Sequence, residues 1–242
     1  MHIRVINPNT TASMTALIEA SARAVVGPGI RLDAVTSPMG PASIESHYDE
    51  ALAVPGILAC VSDGERSGVD GYVIACFGDP GLDAARELAH GPVVGVAEAA
   101  MHTAALVGRG FSVVTTLGRT RGRAWDLAAR YVAAGACRGV HACDIPVLDL
   151  ESDPSVCKRV VALGREALDR DDSDVVVLGC AGMADLCAAV SAELGVPVID
   201  GVAAATVLVQ SLVTLGLSTS ARGEYRYPPP KTYRGALRSF GV

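Results

Sequence analysis

Short apolar runs alternate with longer segments of helical periodicity along most of the chain. Residues 3–6, 30–35, 72–76 and 92–96 are runs rich in β-branched residues, mostly bounded by Gly, Pro, Asn or Ser, which is typical of buried strands. Between two of them, the apolar positions of residues 44–61 recur with the spacing of one helical face. Strands that alternate with helices predict a parallel α/β sheet.

The second half of the chain repeats this order. Residues 111–116 and 140–144 correspond to the first two strands, residues 154–169 to the long helix, and residues 175–180 to the third strand. The repeat is much longer than the 20 to 50 residues of solenoid repeats. The sequence therefore predicts two pseudo-symmetric, internally duplicated α/β domains, each a mainly parallel sheet flanked by helices, with the active site in the cleft between them. The expected domains are residues 1–97 plus 208–242 and residues 98–207.

The duplication aligns two cysteines. Cys76 lies 16 residues before Pro92, Cys180 lies 17 residues before Pro197, and the segments PVVGVAEAA and PVIDGVAAA then run in step. Each cysteine ends a buried strand and is followed by glycines and a helix, where ligands of open α/β sheets bind. Backbone N–H groups and the helix N-terminus favour a thiolate there, so we expect thiol pKa values lowered toward neutrality. The pattern predicts one catalytic site with both thiols facing one ligand.

Composition narrows the class of partner. Half of the 242 residues are apolar, 19% are charged, and the formal net charge is −6 with Lys and Arg scattered. The chain therefore lacks the basic patch typical of proteins that bind nucleic acid or anionic membranes, and a small-molecule partner is expected. No apolar stretch of about 18 residues and no secretion signal are visible, which favours a cytoplasmic protein without a membrane span.

The seven cysteines do not form a known metal or redox motif. Their number is odd, none forms CxxC, and the five histidines are isolated, so we expect free thiols and no metal site. Five of them lie in helical or mid-strand contexts and are interpreted as buried small hydrophobic residues. These five are Cys60, Cys137, Cys143, Cys157 and Cys187.

Five ordered motifs resemble a known family. INPNTTASMT, SPMGPASIESHYDEA, VIACFGDPGLDAA, SVVTTLGRT and VVLGCAGMADL are similar, nearly end to end, to the hydantoin racemase branch of the aspartate/glutamate racemase superfamily, which includes allantoin racemase. The resemblance implies a two-domain pseudo-symmetric fold, no cofactor, and Cys76 and Cys180 as acid and base on opposite faces of the substrate. The position after Phe77 is often acidic in the family and is Gly78 here, which bears on substrate preference.

The implied reaction is racemisation of 5-monosubstituted hydantoins, allantoin among them. One thiolate removes the C5 proton and the opposite thiol returns a proton to the other face.

The chain is expected to be a homo-oligomer. The arginines at 119, 121 and 123 are interpreted as a solvated helix start. The expected substrate-binding residues, which hold the ring amides or receive the oxyanion, are Asn9, Phe77, Gly78, Thr115, Thr116, Ala181 and Gly182.

Two other readings of the sequence stay open at this point. The same superfamily scaffold supports racemisation of acidic amino acids, isomerisation of maleate and decarboxylation of malonates. Amino-acid substrates call for charged partners near the cysteines, where the neighbouring residues are mostly neutral. A decarboxylase needs one cysteine only. The second alternative is not an enzyme of this superfamily. It is a non-catalytic binding protein or a thiol-redox protein whose two cysteines form a disulfide.

Overall fold

The computed structural model of the protein describes residues 1–241. Within these residues the strands are β1 His2–Asn7, β2 Arg31–Thr36, β3 Gly71–Ile74, β4 Val93–Gly95, β5 Phe111–Thr115, β6 Cys137–Ala142, β7 Val175–Gly179 and β8 Val198–Ile199. The α-helices are α1 Ala12–Val25, α2 His47–Arg66, α3 Leu82–Leu88, α4 Val96–Val107, α5 Arg121–Tyr131, α6 Val156–Asp171, α7 Cys187–Leu194 and α8 Gly201–Thr214.

The strands form two parallel four-stranded sheets with the same topology. The first has the order β2-β1-β3-β4 and the second the order β6-β5-β7-β8. Ile6 of β1 pairs with Ile74 of β3, and Val114 of β5 pairs with Leu178 of β7. The predicted duplicated α/β fold is confirmed, and because all strands in each sheet are parallel, their carboxyl ends lie at one edge.

Two predicted elements begin three residues away from the observed starts, whereas the other predicted starts agree within two residues. Helix α2 begins at His47 rather than residue 44, because Ser46 caps it and accepts a hydrogen bond from the Asp49 N–H over 3.1 Å. Strand β6 begins at Cys137 rather than residue 140. Its second residue, Arg138, is polar and forms an ion pair with Asp172, so the apolar pattern starts too late.

The last helix of each half packs on the sheet of the other half. Met101 of α4 joins the core cluster that contains Phe111 of β5, whereas Val202 of α8 joins the cluster that contains Val5 of β1. The expected boundaries after residues 97 and 207 fall inside these two helices. We propose that the domain division lies at the start of α4 and of α8, at Gly95 and Asp200.

Among residues 1–241, none of the helices has the length together with the apolar character that a membrane span requires. The cytoplasmic location and the homo-oligomer stay predictions.

Candidate active site

Cys76 and Cys180 lie at the carboxyl ends of corresponding strands. Cys76 follows β3 by two residues, and Cys180 follows β7 directly. Both side chains are half-buried and line one cavity of about 190 Å³, whose wall includes residues of both halves of the chain. The two sheets therefore bring the predicted pair of thiols to a single cavity.

The two cysteine loops turn in the same way. The N–H of Asp79 donates to the carbonyl of Cys76 over 2.9 Å, and the N–H of Met183 donates to the carbonyl of Cys180 over 3.1 Å. Asp79 reaches this turn with a φ of 45°, in the left-handed region that non-glycine residues seldom adopt. The first loop thus carries backbone strain that the second loop lacks.

Burial dominates the protonation of both thiols. It raises the pKa of Cys180 to about 11, and together with nearby negative charges such as Glu50 and Asp79 it raises the pKa of Cys76 further. The N–H groups of Gly78 and Gly182 donate to the two sulfur atoms and oppose this shift without cancelling it. The sequence-based expectation of thiol pKa values near neutrality is therefore wrong, because the loss of hydration outweighs the backbone donors.

Most of the expected substrate-binding residues line the cavity. Gly182 lies outside the lining, and its N–H is directed to the sulfur of Cys180. The expected residues that the structure places in the cavity wall are Asn9, Phe77, Gly78, Thr115, Thr116 and Ala181.

The hydrogen bonds of Asn9 orient its side-chain amide. Its Oδ1 accepts from Nδ2 of Asn7 and from the N–H of Thr11, both over 2.9 Å. The amide nitrogen therefore lies on the other side, 3.0 Å from the sulfur of Met14, which is also in the cavity wall. Asn9 thus presents a hydrogen-bond donor, suited to a carbonyl oxygen, toward the cavity.

Thr115 and Thr116 form different hydrogen bonds inside the protein. The Thr115 hydroxyl donates to the carbonyl of Gly179 over 3.1 Å and lies 3.3 Å from the Thr120 hydroxyl, so it ties β5 to β7. The carbonyl of Thr116 accepts from the N–H of Ile145 over 3.2 Å. The side chain of Thr115 is therefore engaged inside the protein, next to the loop of Cys180.

Charged residues that the sequence analysis did not assign to the site also form the wall. Glu50 lines the cavity, and so do Arg119 and Arg123, two of the arginines expected to be solvated. Arg123 donates from Nε and Nη2 to the carbonyl of Gly78, over 3.1 and 2.6 Å. The sequence signal for Glu50 is weak, because it consists only of a position in the first turn of a helix that Ser46 caps.

The described residues contain no ready metal site. Among residues 1–241, no group of His, Cys, Asp and Glu side chains has an arrangement that holds a metal ion, and the seven cysteines are free thiols. Whether the site works without a cofactor stays a prediction, which rests on the chemistry of the thiols.

The chain matches a known protein family over most of its length. Residues 3–209 match the family described as Asp/Glu/Hydantoin racemase, and the chain belongs to this family. It is a racemase, and hence an isomerase.

Named relatives cover nearly the whole chain. The hydantoin racemase of Pseudomonas sp. (strain NS671) is 44% identical over 100% of this chain and 97% of its own length. The hydantoin racemase of Rhizobium meliloti is 48% identical over 97% of this chain and 98% of its own length. Among solved structures, allantoin racemase from Klebsiella pneumoniae superimposes with a TM-score of 0.96 and 49% identity, covering 100% of this chain and 99% of that one. The predicted family is confirmed.

Proposed function

We propose that this protein interconverts the D and L forms of 5-monosubstituted hydantoins, with Cys76 and Cys180 as the two acid–base groups. The observation that carries the proposal is the placement of two thiols, from corresponding ends of two duplicated sheets, in the wall of one cavity. The named hydantoin and allantoin racemases that resemble the chain over nearly its full length support the substrate class.

The chemistry follows from the acidity of a hydantoin. Its C5–H bond lies between a ring carbonyl and a ring nitrogen, so loss of the proton gives an enolate-like anion. One cysteine thiolate takes this proton, and the other cysteine, as a thiol, donates its proton to the opposite face of C5. The configuration inverts, the second cysteine is left as the thiolate, and the roles exchange for the other enantiomer. The thiols themselves supply acid and base, so the reaction needs no cofactor.

Donors in the cavity wall suit the charge that develops on the ring carbonyl. Asn9 presents its side-chain N–H₂, and Phe77 and Ala181 contribute backbone N–H groups at the two cysteine loops. A donor of this kind commonly lowers the barrier by about 3 to 4 kcal/mol. Gly78 and Gly182 act on the cysteines rather than on the substrate, because their N–H groups stabilise the thiolates. Thr116 borders the same space and completes the polar part of the wall.

Replacing each cysteine in turn tests the proposal. Cys76→Ser and Cys180→Ser each remove one proton-transfer group, and we expect racemisation to fall by roughly 10³-fold. Cys157→Ser, a half-buried cysteine on α6, is the matched control and should retain activity. Polarimetry with enantiopure allantoin and with benzyl-, isopropyl- and methylthioethyl-hydantoin measures the rate and ranks the substrates. A Cys76→Ser or Cys180→Ser protein that racemises at the wild-type rate contradicts the two-thiol scheme.

The same panel separates the alternatives. Racemisation of aspartate or glutamate, with none of a hydantoin, would favour the amino-acid reading. An easily formed disulfide between Cys76 and Cys180, without isotope exchange at C5, would favour a thiol-redox protein. We expect neither result.

A further inference from the structure

Tyr131, the last residue of α5, places a buried hydroxyl between the two halves of the molecule. Its ring packs against core residues of both sheets, because it borders the cluster that contains Phe111 of β5 and the cluster that contains Ile6 of β1. Its hydroxyl is withdrawn from water and forms no hydrogen bond of normal geometry with any described residue. A buried hydroxyl without a partner costs free energy, so a neighbouring acceptor is expected to bind it.

The acceptor next to this hydroxyl is the carboxylate of Asp79. Burial raises the pKa of Tyr131, and the negative charge of Asp79 raises it further. Burial also raises the pKa of Asp79 to about 7, against the N–H groups of Ala97 and Glu98 and the Tyr131 hydroxyl, which lower it. A carboxylate has about four acceptor sites, so the two N–H donors leave room for a third donor.

The arginines near this pair are engaged with other acids. Arg86 Nη2 donates to Glu98 over 2.6 Å, and Arg130 Nη2 donates to both carboxylate oxygens of Asp83 over 2.7 and 2.9 Å. Neutral donors are therefore left to compensate the charge of Asp79. The charged and titratable groups around Asp79 and Tyr131 are Cys76, Arg86, Glu98, His102 and Arg130.

We propose that Tyr131 is a positioning residue, whose hydroxyl donates a hydrogen bond to the carboxylate of Asp79 and so holds the loop of Cys76 in place for proton transfer. The inference rests on the proposed function and adds a residue of the second half that lies outside the cavity wall. The backbone of Asp79, with a φ of 45°, has a conformation that persists only when the surrounding bonds enforce it. Protonation of Asp79 turns one acceptor oxygen into a donor, so the loop is held less firmly as pH falls through the pKa of Asp79.

The first experiment measures the carboxyl group of Asp79 directly. Protein labelled with an NMR-active carbon isotope at the aspartate carboxyl group is titrated, and the signal of Asp79 is the one missing from Asp79→Asn. Because the hydrogen bond favours the charged form, its loss in Tyr131→Phe should raise the midpoint of this signal by about one pH unit. An unchanged midpoint would overturn the proposal.

The second experiment follows kcat for isopropylhydantoin against pH, after subtraction of the uncatalysed rate. A midpoint raised from about 7 to about 8 leaves fewer molecules with an ionised Asp79. We therefore expect kcat of Tyr131→Phe to be about threefold below the wild type at pH 7.5 and within about twofold of it at pH 9.5. KM should change little, since Tyr131 is not in the cavity wall. A loss of equal size at every pH would indicate a purely structural role and contradict the proposal.

Tyr225→Phe is the matched control. Tyr225 donates to Oδ1 of Asp83 on α3 over 3.0 Å, so this variant removes a tyrosine hydroxyl from the helix that follows the loop of Cys76. The Asp79 midpoint and the pH profile should stay at their wild-type values. A shift as large as that of Tyr131→Phe would assign the effect to a general loosening of α3 and overturn the proposal.

The double variant of Tyr131→Phe and Asp79→Asn tests whether the two side chains act through one bond. Both changes break the same interaction, so kcat of the double variant at pH 7.5 should match that of Asp79→Asn. A further decrease of about threefold would show independent effects and overturn the proposal. If the wild type racemises no hydantoin, the proposed function fails, whereas the carboxyl titration still decides whether Tyr131 binds Asp79.

Discussion

The two cysteine loops share one backbone hydrogen bond, from the third residue after the cysteine to the cysteine carbonyl, but differ in how they are attached to the next helix. In the first half the carboxylate of Asp79, three residues after Cys76, accepts hydrogen bonds from the N–H groups of Ala97 and Glu98, over 3.1 and 2.9 Å. Asp79 thereby caps the N-terminus of α4, although it does not belong to that helix or to its N-cap position. The loop that carries the first cysteine is therefore bonded directly to a neighbouring helix.

In the second half the capping carboxylate comes from the helix itself. Met183 stands three residues after Cys180, and α8 is capped by its own N-cap residue, Asp200, which accepts from the N–H groups of Val202 and Ala203 over 2.8 and 3.3 Å. The loop of Cys180 does not contribute to this cap.

The comparison shows one requirement met in two ways. The residue of the first half that corresponds to Asp200 is Gly95, and a Cβ there would collide with the carboxylate of Asp79. Each helix start needs an acceptor at nearly the same place, and the duplicated halves supply it from different chain positions. Only in the first half does the acceptor also hold a cysteine loop, at a site where burial raises the pKa of Asp79 to about 7.

Of the substitutions that compare the two halves, Asp79→Asn should have the largest effect on kcat. The amide keeps the shape of the side chain but has one acceptor oxygen for two N–H donors, so the cap weakens and the loop of Cys76 shifts. Because small misplacements of reacting groups cost up to about 10²-fold, we expect a loss of kcat of this order. Initial rates at pH 8 measure it. An unchanged kcat would show that the bond between loop and helix does not position Cys76.

Alkylation should show a smaller difference between the two thiols. The pKa of Cys76 is raised further than that of Cys180, by burial first and then by neighbouring negative charges that include Glu50 and Asp79, so at pH 8 Cys180 has the larger thiolate fraction. The greater nucleophilicity of the more basic thiolate offsets part of this difference. We expect Cys180 to react with iodoacetamide about tenfold faster, and both rates to rise with pH, since both thiols ionise as pH increases.

Peptide mapping by mass spectrometry assigns the alkylated residue, and Cys157 serves as a half-buried reference outside the cavity wall. Faster labelling of Cys76 than of Cys180 would contradict the inferred order of the two pKa values.

Asp200→Ala should have the smallest effect on catalysis. It removes two hydrogen bonds at the start of α8 and the contact with the hydroxyl of Ser21, so the free energy of unfolding should fall by about 1 to 2 kcal/mol. Denaturant titration measures this loss. Racemisation should stay within about twofold of the wild type, since the loop of Cys180 does not contain the cap. A loss of kcat as large as that of Asp79→Asn would erase the difference between the halves.

The sequence predicts the sheets and the position of the cysteines for physical reasons. Buried parallel strands are apolar on both faces, so β3 and β7 stand out as uninterrupted apolar runs, whereas Arg4 interrupts the run of β1 and Ser112 that of β5. The duplication then relates two strand ends 104 residues apart, from Cys76 to Cys180, without any knowledge of their distance in space.

Other features depend on packing that local sequence does not specify. The expected domain boundaries fall inside α4 and α8 rather than at their starts, because both helices are apolar over most of their surface and give no local signal of which sheet they pack on. Glu50 reaches the loop of Cys76 from a helix that begins 29 residues earlier, at His47. The direction of the thiol pKa shifts depends on the balance of burial against backbone donors, which only the folded geometry fixes.

Proton exchange at C5 in heavy water is the sharpest test of whether two thiols act on opposite faces of one substrate. Each enantiomer of isopropylhydantoin is incubated with the Cys76→Ser or Cys180→Ser protein, and NMR follows the C5 hydrogen while polarimetry follows inversion. We predict that each variant exchanges the C5 hydrogen of one enantiomer only, without inversion, and that the two variants act on opposite enantiomers. Exchange of the same enantiomer by both variants, or of both enantiomers at the wild-type rate, would contradict the two-thiol mechanism.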